Sequence, residues 1–227
     1  MSWRERRQGN TKLYVSNKDE SVRMFKSDFL EMFTKVHWTV PLFIFIPVIA
    51  YLIYRSVEFN VTAGNFVLLY FSGIIFWTFT EYSLHRFLFH YHAKNRSIEE
   101  IFWTFHGVHH DYPQDSKRLV MPPSVSLPLG ALFYYLFYSV FGIANANPFA
   151  AGFFTGYLFY DITHYAIHHF NFKGNVWKKL KDHHTIHHYK YEDLGFGVSS
   201  PAWDYIFGTT YPEKSMKEEK KLNPEEN

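Results

Sequence analysis

The 227-residue chain has no cysteine. This excludes a disulfide framework, thiolate metal sites, iron–sulfur clusters and a cysteine nucleophile, and leaves nitrogen and oxygen as the donors for any metal. Net charge is scarce as well: 23 Lys and Arg stand against 21 Asp and Glu, a balance of +2 that offers no electrostatic footprint for nucleic acid. From three long stretches, charge of either sign is missing altogether. No Asp, Glu, Lys or Arg occurs in the 19 residues Val36–Tyr54, in the 22 residues between Glu58 and Glu81, or in the 42 residues between Arg118 and Asp161. What fills these gaps is apolar and aromatic; Phe, Tyr and Trp make up 21% of the chain.

A bilayer core about 30 Å thick takes roughly 20 apolar residues per helix. The three stretches therefore fit one, one and two spans, near residues 36–54, 61–80, 122–141 and 148–165, with the last pair divided at the turn Gly142–Pro148. Buried helices of a soluble bundle would carry a charged stripe at helical period, and these segments have none. The predicted fold class is all-α, an integral membrane protein with about four transmembrane helices. Residues 1–20 form a polar N-terminal segment, residues 21–210 a single domain, and residues 211–227 a charged tail expected to fray. In residues 21–35, Phe25, Phe29, Met32 and Phe33 share one face of a predicted helix, which lies either in the membrane interface or on the protein surface.

Lys and Arg number 8 in residues 1–35, 1 in 55–60, 5 in 81–118, none in 142–148 and 9 in 161–227. Retention of basic loops on the cytoplasmic side then places both termini and the central loop there. The basic, polar start lacks the apolar run of a cleaved leader, so the first span is expected to direct insertion.

Histidine is the residue in excess. Of 14, all but His37 fall in four clusters: His85, His90 and His92; His106, His109 and His110; His164, His168 and His169; His183, His184, His187 and His188. Residues three and four apart share a helix face, so His106, His109 and His110, and again His184, His187 and His188, aim three imidazoles one way, and His164 pairs with His168. His85 and His90, five apart, diverge on a regular helix; they bind different metals, or the helix ends between them. Ten imidazoles exceed the four of a tetrahedral zinc site and nearly fill two octahedral ions. Imidazole suits iron, copper, nickel and zinc alike, so the ligands alone do not choose. Glu81, Asp111, Asp161, Asp182 and Asp193 are candidate acceptors for the outer N–H of ligating rings; each is otherwise a solvated charge or helix cap. Tyr82, Arg86, Tyr165, Tyr189 and Trp203 near the clusters are candidate binding contacts, or else interfacial aromatics and a snorkelling cation.

The segments Glu81–His90, Phe105–His110, Arg118–Pro123, Tyr160–His169 and His184–His188 resemble the fatty acid hydroxylase superfamily of integral-membrane di-metal oxygenases. The stretch Leu194–Thr209 is most similar to its fatty acid 2-hydroxylase, or sphingolipid α-hydroxylase, branch. The resemblance covers roughly residues 22–210. It implies a four-helix membrane anchor, a cytoplasmic helical cap, and two metal ions held by His85, His90, His106, His109, His110, His164, His168, His184, His187 and His188. It further implies iron as the catalytic metal, with zinc able to occupy the same ligands in purified protein, and O2 as co-substrate. The expected reaction is C2 hydroxylation of a fatty acid or of a sphingolipid N-acyl chain. Some members carry an N-terminal b-type cytochrome; without room for one here, electrons are expected from a separate donor, a b-type cytochrome or a ferredoxin with its reductase. Localisation would be a bacterial inner membrane or the endoplasmic reticulum. Sterol methyl oxidation, sterol desaturation and carotenoid hydroxylation are the alternatives on this scaffold, and a membrane metal carrier is a distant one.

Overall fold

The computed structural model describes residues 12–91 and 93–212. Most of the tail expected to fray therefore lies outside the described residues. Its helices are α1 (Asp28–Met32), α2 (Val40–Glu58), α3 (Ala63–Ser83), α4 (Arg96–Phe102), α5 (Val108–Asp111), α6 (Pro123–His169), α7 (Asn175–Tyr189) and α8 (Ala202–Phe207). Two π-helical turns, Leu84–Phe89 and Trp103–Gly107, follow α3 and α4 directly. Among the described residues there is no strand. The chain divides into two compact units: an aromatic unit of Val22–Glu81 and Ser116–Ile162, and a histidine unit of Met1–Ser21, Tyr82–Asp115 and Thr163–Asn227.

Three helical stretches, Val40–Glu58, Ala63–Phe89 and Pro123–His169, are long and apolar enough to cross a membrane. The third, at 47 residues, would measure about 70 Å if straight, more than twice a bilayer core. It is not straight. Gly142 leaves the helical region with φ 70° and ψ 164°, a conformation open to glycine, and the chain doubles back there. Phe133 and Phe153, which a straight helix would hold about 30 Å apart, have ring centroids 4.9 Å apart, and Tyr134 donates to Asn147 Oδ1 at 2.9 Å. Residues 123–141 and 143–169 are thus two arms of a hairpin. The reversal takes one residue, where the sequence suggested the whole turn Gly142–Pro148.

The core of the aromatic unit is built from Phe45, Trp77, Phe137, Phe149, Phe153, Phe154 and Tyr157 with Ala146, Ala150 and Ala151. Small residues let α3 and the second arm of α6 meet backbone to backbone, the usual route to contact between apolar helices. A Cβ on Gly152 would stand 1.8 Å from Tyr70 O, and one on Gly73 2.1 Å from Phe149 O. Tyr70 adds a hydrogen bond to Thr155 Oγ1 at 2.9 Å. On α2, α3 and the first arm of α6, Phe43, Leu68, Phe71, Ile75, Tyr135 and Val140 are exposed, as lipid-facing positions would be.

The helix expected over residues 21–35 is reduced to the single turn Asp28–Met32. The reason is Glu31. Its Oε2 accepts the backbone N–H groups of Met24 (2.9 Å) and Phe25 (3.0 Å), and its Oε1 takes Arg118 at 2.8 Å and Lys35 at 3.0 Å. The chain before α1 is thereby wrapped around a carboxylate and cannot continue a helix. Phe29, Met32 and Phe33 remain exposed together, Phe29 and Phe33 edge to face at 5.1 Å. Burial opposes ionisation of Glu31, but the two backbone N–H groups with Lys35 and Arg118 outweigh it and bring its pKa from 4.5 to about 2. A depressed carboxyl pKa contributes stability that is complete above the unfolded value and is lost as pH falls through the folded one. The melting temperature of the wild type is therefore expected to fall more steeply than that of Glu31→Gln between about pH 4.5 and 2, as thermal scans in detergent would read.

Candidate metal centre

All ten histidines of the sequence motif lie in the histidine unit. They form two groups. The first is His85, His90, His106, His110 and His187; the second is His109, His164, His168, His184 and His188; in each, one nitrogen per ring lies within 4.8 Å of all the others. Every one is buried except the half-buried His168. The groups adjoin, His110 of the first stacking on His188 of the second with centroids 4.2 Å apart.

Local backbone explains how the spacing works. The turn Leu84–Phe89 closes i→i+5, His90 N–H bonding to His85 O at 3.1 Å, and such a wide turn returns the fifth residue to nearly the same face. His85 and His90 therefore join one group with rings 4.9 Å apart; of the two expectations, the helix does end between them, at Phe89, and a division between the two groups does not occur. The second wide turn, Trp103–Gly107, leads into α5 and sends His106 and His110 to the first group while His109 goes to the second. At Gly107 a Cβ would meet Trp103 Cδ1 at 2.6 Å, so glycine is what lets that indole lie across the turn.

The nitrogens converge in a way that hydrogen bonding cannot explain. His184 Nε2 has the Nε2 atoms of His164, His168 and His188 at 3.0, 3.1 and 2.9 Å. A ring nitrogen has one hydrogen or one lone pair, so it cannot satisfy three such neighbours. In the first group the corresponding contacts are His85–His106 at 3.0 Å, His106–His110 at 3.1 Å and His90–His187 at 3.1 Å. Two ligands about 2.1 Å from a common ion, the usual metal–imidazole distance, stand about 3.0 Å apart when they subtend a right angle and about 3.4 Å apart at a tetrahedral angle. The observed spacing matches the former. Among the described residues, His109 Nε2 is also buried without a hydrogen-bond partner. Burial, reinforced by neighbouring imidazoles, holds His106, His109, His110, His184, His187 and His188 well below the ordinary histidine pKa, so these rings are neutral and bear a lone pair for a cation. Five-nitrogen sets of this kind fit a metal ion in each group.

The model of the fatty acid hydroxylase family matches residues 70–209. The chain belongs to the fatty acid hydroxylase family. A dihydroceramide fatty acyl 2-hydroxylase of Arabidopsis thaliana is 39% identical over 191 residues, spanning 84% of this chain and 80% of that protein. The fatty acid 2-hydroxylase of Homo sapiens is 37% identical over 216 residues, 85% of this chain and 58% of that one. A solved structure of full-length Scs7p, with only the hydroxylase domain visible, aligns with a TM-score of 0.75 and 37% identity over 82% of this chain and 70% of its own.

Within this hydroxylase two of the rings, His85 and His187, take backbone carbonyls as acceptors. His85 Nδ1 donates to Phe196 O at 2.6 Å and His187 Nδ1 to Leu194 O at 2.7 Å, which fixes the hydrogen on Nδ1 and leaves Nε2 to face its group. Of the carboxylates singled out by sequence, Asp111 accepts Trp103 Nε1 at 2.7 Å, and Asp161, in the aromatic unit, accepts Met121 N and the Tyr157 hydroxyl at 3.1 Å each. Glu81 is buried in the aromatic unit, Asp182 is half-buried and Asp193 exposed. Tyr82 is buried against Phe196 and Phe207 and receives Arg86 Nη1 at 2.8 Å. Tyr165 packs on His169, Trp203 on Phe207, and the Tyr189 hydroxyl donates to Asn17 Oδ1 at 2.6 Å. The carboxylate that sequence reasoning missed is Asp204, fully buried on α8 and bonded to His183.

Proposed function

We propose that this chain is a membrane-bound, O2-dependent hydroxylase that places a hydroxyl on C2 of a fatty acid or of a sphingolipid N-acyl chain. The observation that carries the reading is the pair of five-imidazole groups, side by side and dry, in a chain of the fatty acid hydroxylase family. His85, His90, His106, His110 and His187 would hold one metal ion and His109, His164, His168, His184 and His188 the other. Iron is the proposed metal, with zinc able to fill the same nitrogens in purified protein. An unactivated C–H bond yields to neither acid–base nor nucleophilic chemistry, and iron bound there supplies the redox capacity the reaction needs.

The balance of the reaction sets the partners. One O2, two electrons, two protons and one C–H bond give one C–OH and one water, so an external donor must deliver two electrons per turnover. A b-type cytochrome, or a ferredoxin with its reductase, is the proposed source. The residues of the chain contribute a water-poor enclosure, uncharged ligands, and orientation of His85 and His187 by backbone carbonyls. Half-buried Arg86, Tyr165, Tyr189 and Trp203 are proposed to contact the polar end of the substrate. The Lys and Arg distribution supports cytoplasmic termini, in a bacterial inner membrane or the endoplasmic reticulum.

Expression in a host that lacks hydroxylated lipids tests the reading. Whole-cell lipid mass spectrometry is expected to reveal 2-hydroxy acyl chains with the wild type and none with His187→Ala. Oxidised sterols or carotenoids in place of 2-hydroxy acyl chains would assign a different reaction, and metal uptake with no lipid product would leave a carrier.

A further inference from the structure

The stretch Leu194–Thr209, which in the sequence marks the branch of the family, forms a clasp together with Tyr211. Gly195, at φ 70°, lets the chain pass under Tyr211, whose hydroxyl would be 1.6 Å from a Cβ there and instead donates to His183 O at 2.9 Å. This turn brings Leu194 O to His187 and Phe196 O to His85. Both rings belong to the first group.

Asp204 holds the turn from behind. Its Oδ1 accepts Phe196 N–H at 2.9 Å and Thr209 Oγ1 at 2.7 Å, while its Oδ2 accepts Gly197 N–H at 2.9 Å and His183 Nε2 at 3.2 Å. Thr209 gives its only hydrogen to the carboxylate, so the Tyr82 hydroxyl, 3.0 Å away, must donate to Thr209, and Arg86 donates in turn to Tyr82. The donors run in one direction, Arg86 to Tyr82 to Thr209 to Asp204. Burial opposes the charge on Asp204, but the hydrogen bonds from His183, Thr209 and Gly197 keep its carboxyl below the usual range. Phe196 thus stands between a buried carboxylate on its N–H and a ligand-type imidazole on its C=O.

Among the described residues, the Nδ1 atoms of His110 in the first group and of His184 and His188 in the second are buried with no hydrogen-bond partner, so the clasp singles out His85 and His187. Outer hydrogen bonds on ligating histidines typically change metal affinity by about 10–100-fold.

We propose that Asp204 is the positioning residue of the first histidine group, acting through Phe196 and the Leu194–Gly197 turn, and that its loss weakens metal binding in that group and leaves the second unchanged. The inference rests on the metal-centre reading above.

The test is a metal titration of the full-length chain in detergent. Wild type, Asp204→Asn and Thr209→Val are loaded with Zn2+ and equilibrated against graded chelator, and bound zinc per chain is counted by elemental mass spectrometry. An asparagine keeps one acceptor oxygen and turns an NH2 toward backbone N–H groups, so it cannot reproduce the grip. The wild type is expected to hold two zinc ions, and His184→Ala, which breaks the second group, only one. In Asp204→Asn one of the two ions should leave at about 10–100-fold less chelator while the other stays, and the same shift should appear for the single ion when Asp204→Asn is combined with His184→Ala. Thr209→Val, which removes one of the four bonds and keeps the carboxylate, should shift the same ion by less. Should Asp204→Asn fail to fold, as helix content by circular dichroism would reveal, Thr209→Val decides: a shift confined to one ion and retained with His184→Ala supports the proposal. Equal movement of both ions, movement that disappears with His184→Ala, or no movement overturns it. A wild type that binds fewer than two zinc ions would instead overturn the metal-centre reading.

Discussion

Replacing His184 with alanine is expected to lower 2-hydroxy lipid formation by at least about 100-fold and to remove one of the two bound metals. His184 Nε2 is the hub of the second group, within 2.9–3.1 Å of His164, His168 and His188. Disturbing only the outer hydrogen bond of a ligand costs about 10–100-fold in affinity or activity, and deletion of the ring that three others surround exceeds that. The four remaining rings, His109, His164, His168 and His188, would converge on a place that has lost its fifth nitrogen. Quantitative lipid mass spectrometry together with metal counting reads both effects. Unchanged product with His184→Ala would mean that the second group is not part of the reaction.

The second large effect is expected in the aromatic unit. Gly152→Leu should destabilise the protein by at least about 3 kcal/mol, the upper end for overpacking, because its new side chain must enter where Tyr70 O already stands 1.8 Å from the Cβ position. The obstacle is backbone, not a side chain that can swing away. Gly130→Ala is the matched control: a Cβ there would make ordinary contacts of 3.4 Å and more with Phe154 and Phe45, and the substitution should stay within about 1 kcal/mol of wild type. Thermal unfolding in detergent and the yield of monodisperse protein would separate the two. Equal behaviour of both variants would mean that the close passage of α3 and α6 is not needed for the fold.

How much of this could be read from the chain depends on whether the signal was local. The gaps in charge gave the apolar helices because every residue of a span meets the same solvent, and helical spacing gave His106 with His110 and His184 with His188. The same spacing rule separated His85 from His90, since nothing in residue types marks an i→i+5 turn. It also grouped His109 with its neighbours His106 and His110, although the structure sends it to the other set. Proximity in sequence was a poor guide to the partners of the rings: the acceptors for His85 and His187 are carbonyl oxygens, which every residue has, and the carboxylate behind them, Asp204, lies 16 residues beyond the last of the ten histidines. His183, left outside the ligand set by its spacing, donates to that carboxylate. Glu31 was read as part of an amphipathic stretch; its hold on Met24 and Phe25 became visible only with Arg118 beside it.

The order in which the ten rings leave the ribosome sets the timing of metal capture. Seven have been made by the end of α6 at His169, yet neither group is complete, because His187 closes the first and His184 and His188 close the second. His85 must wait for a partner 102 residues later in the chain, a contact whose loop-closure cost is met only once the intervening helices have been inserted and docked. Metal loading at the proposed sites would thus follow the making of α7, and a chain stalled before it would present an incomplete set of imidazoles.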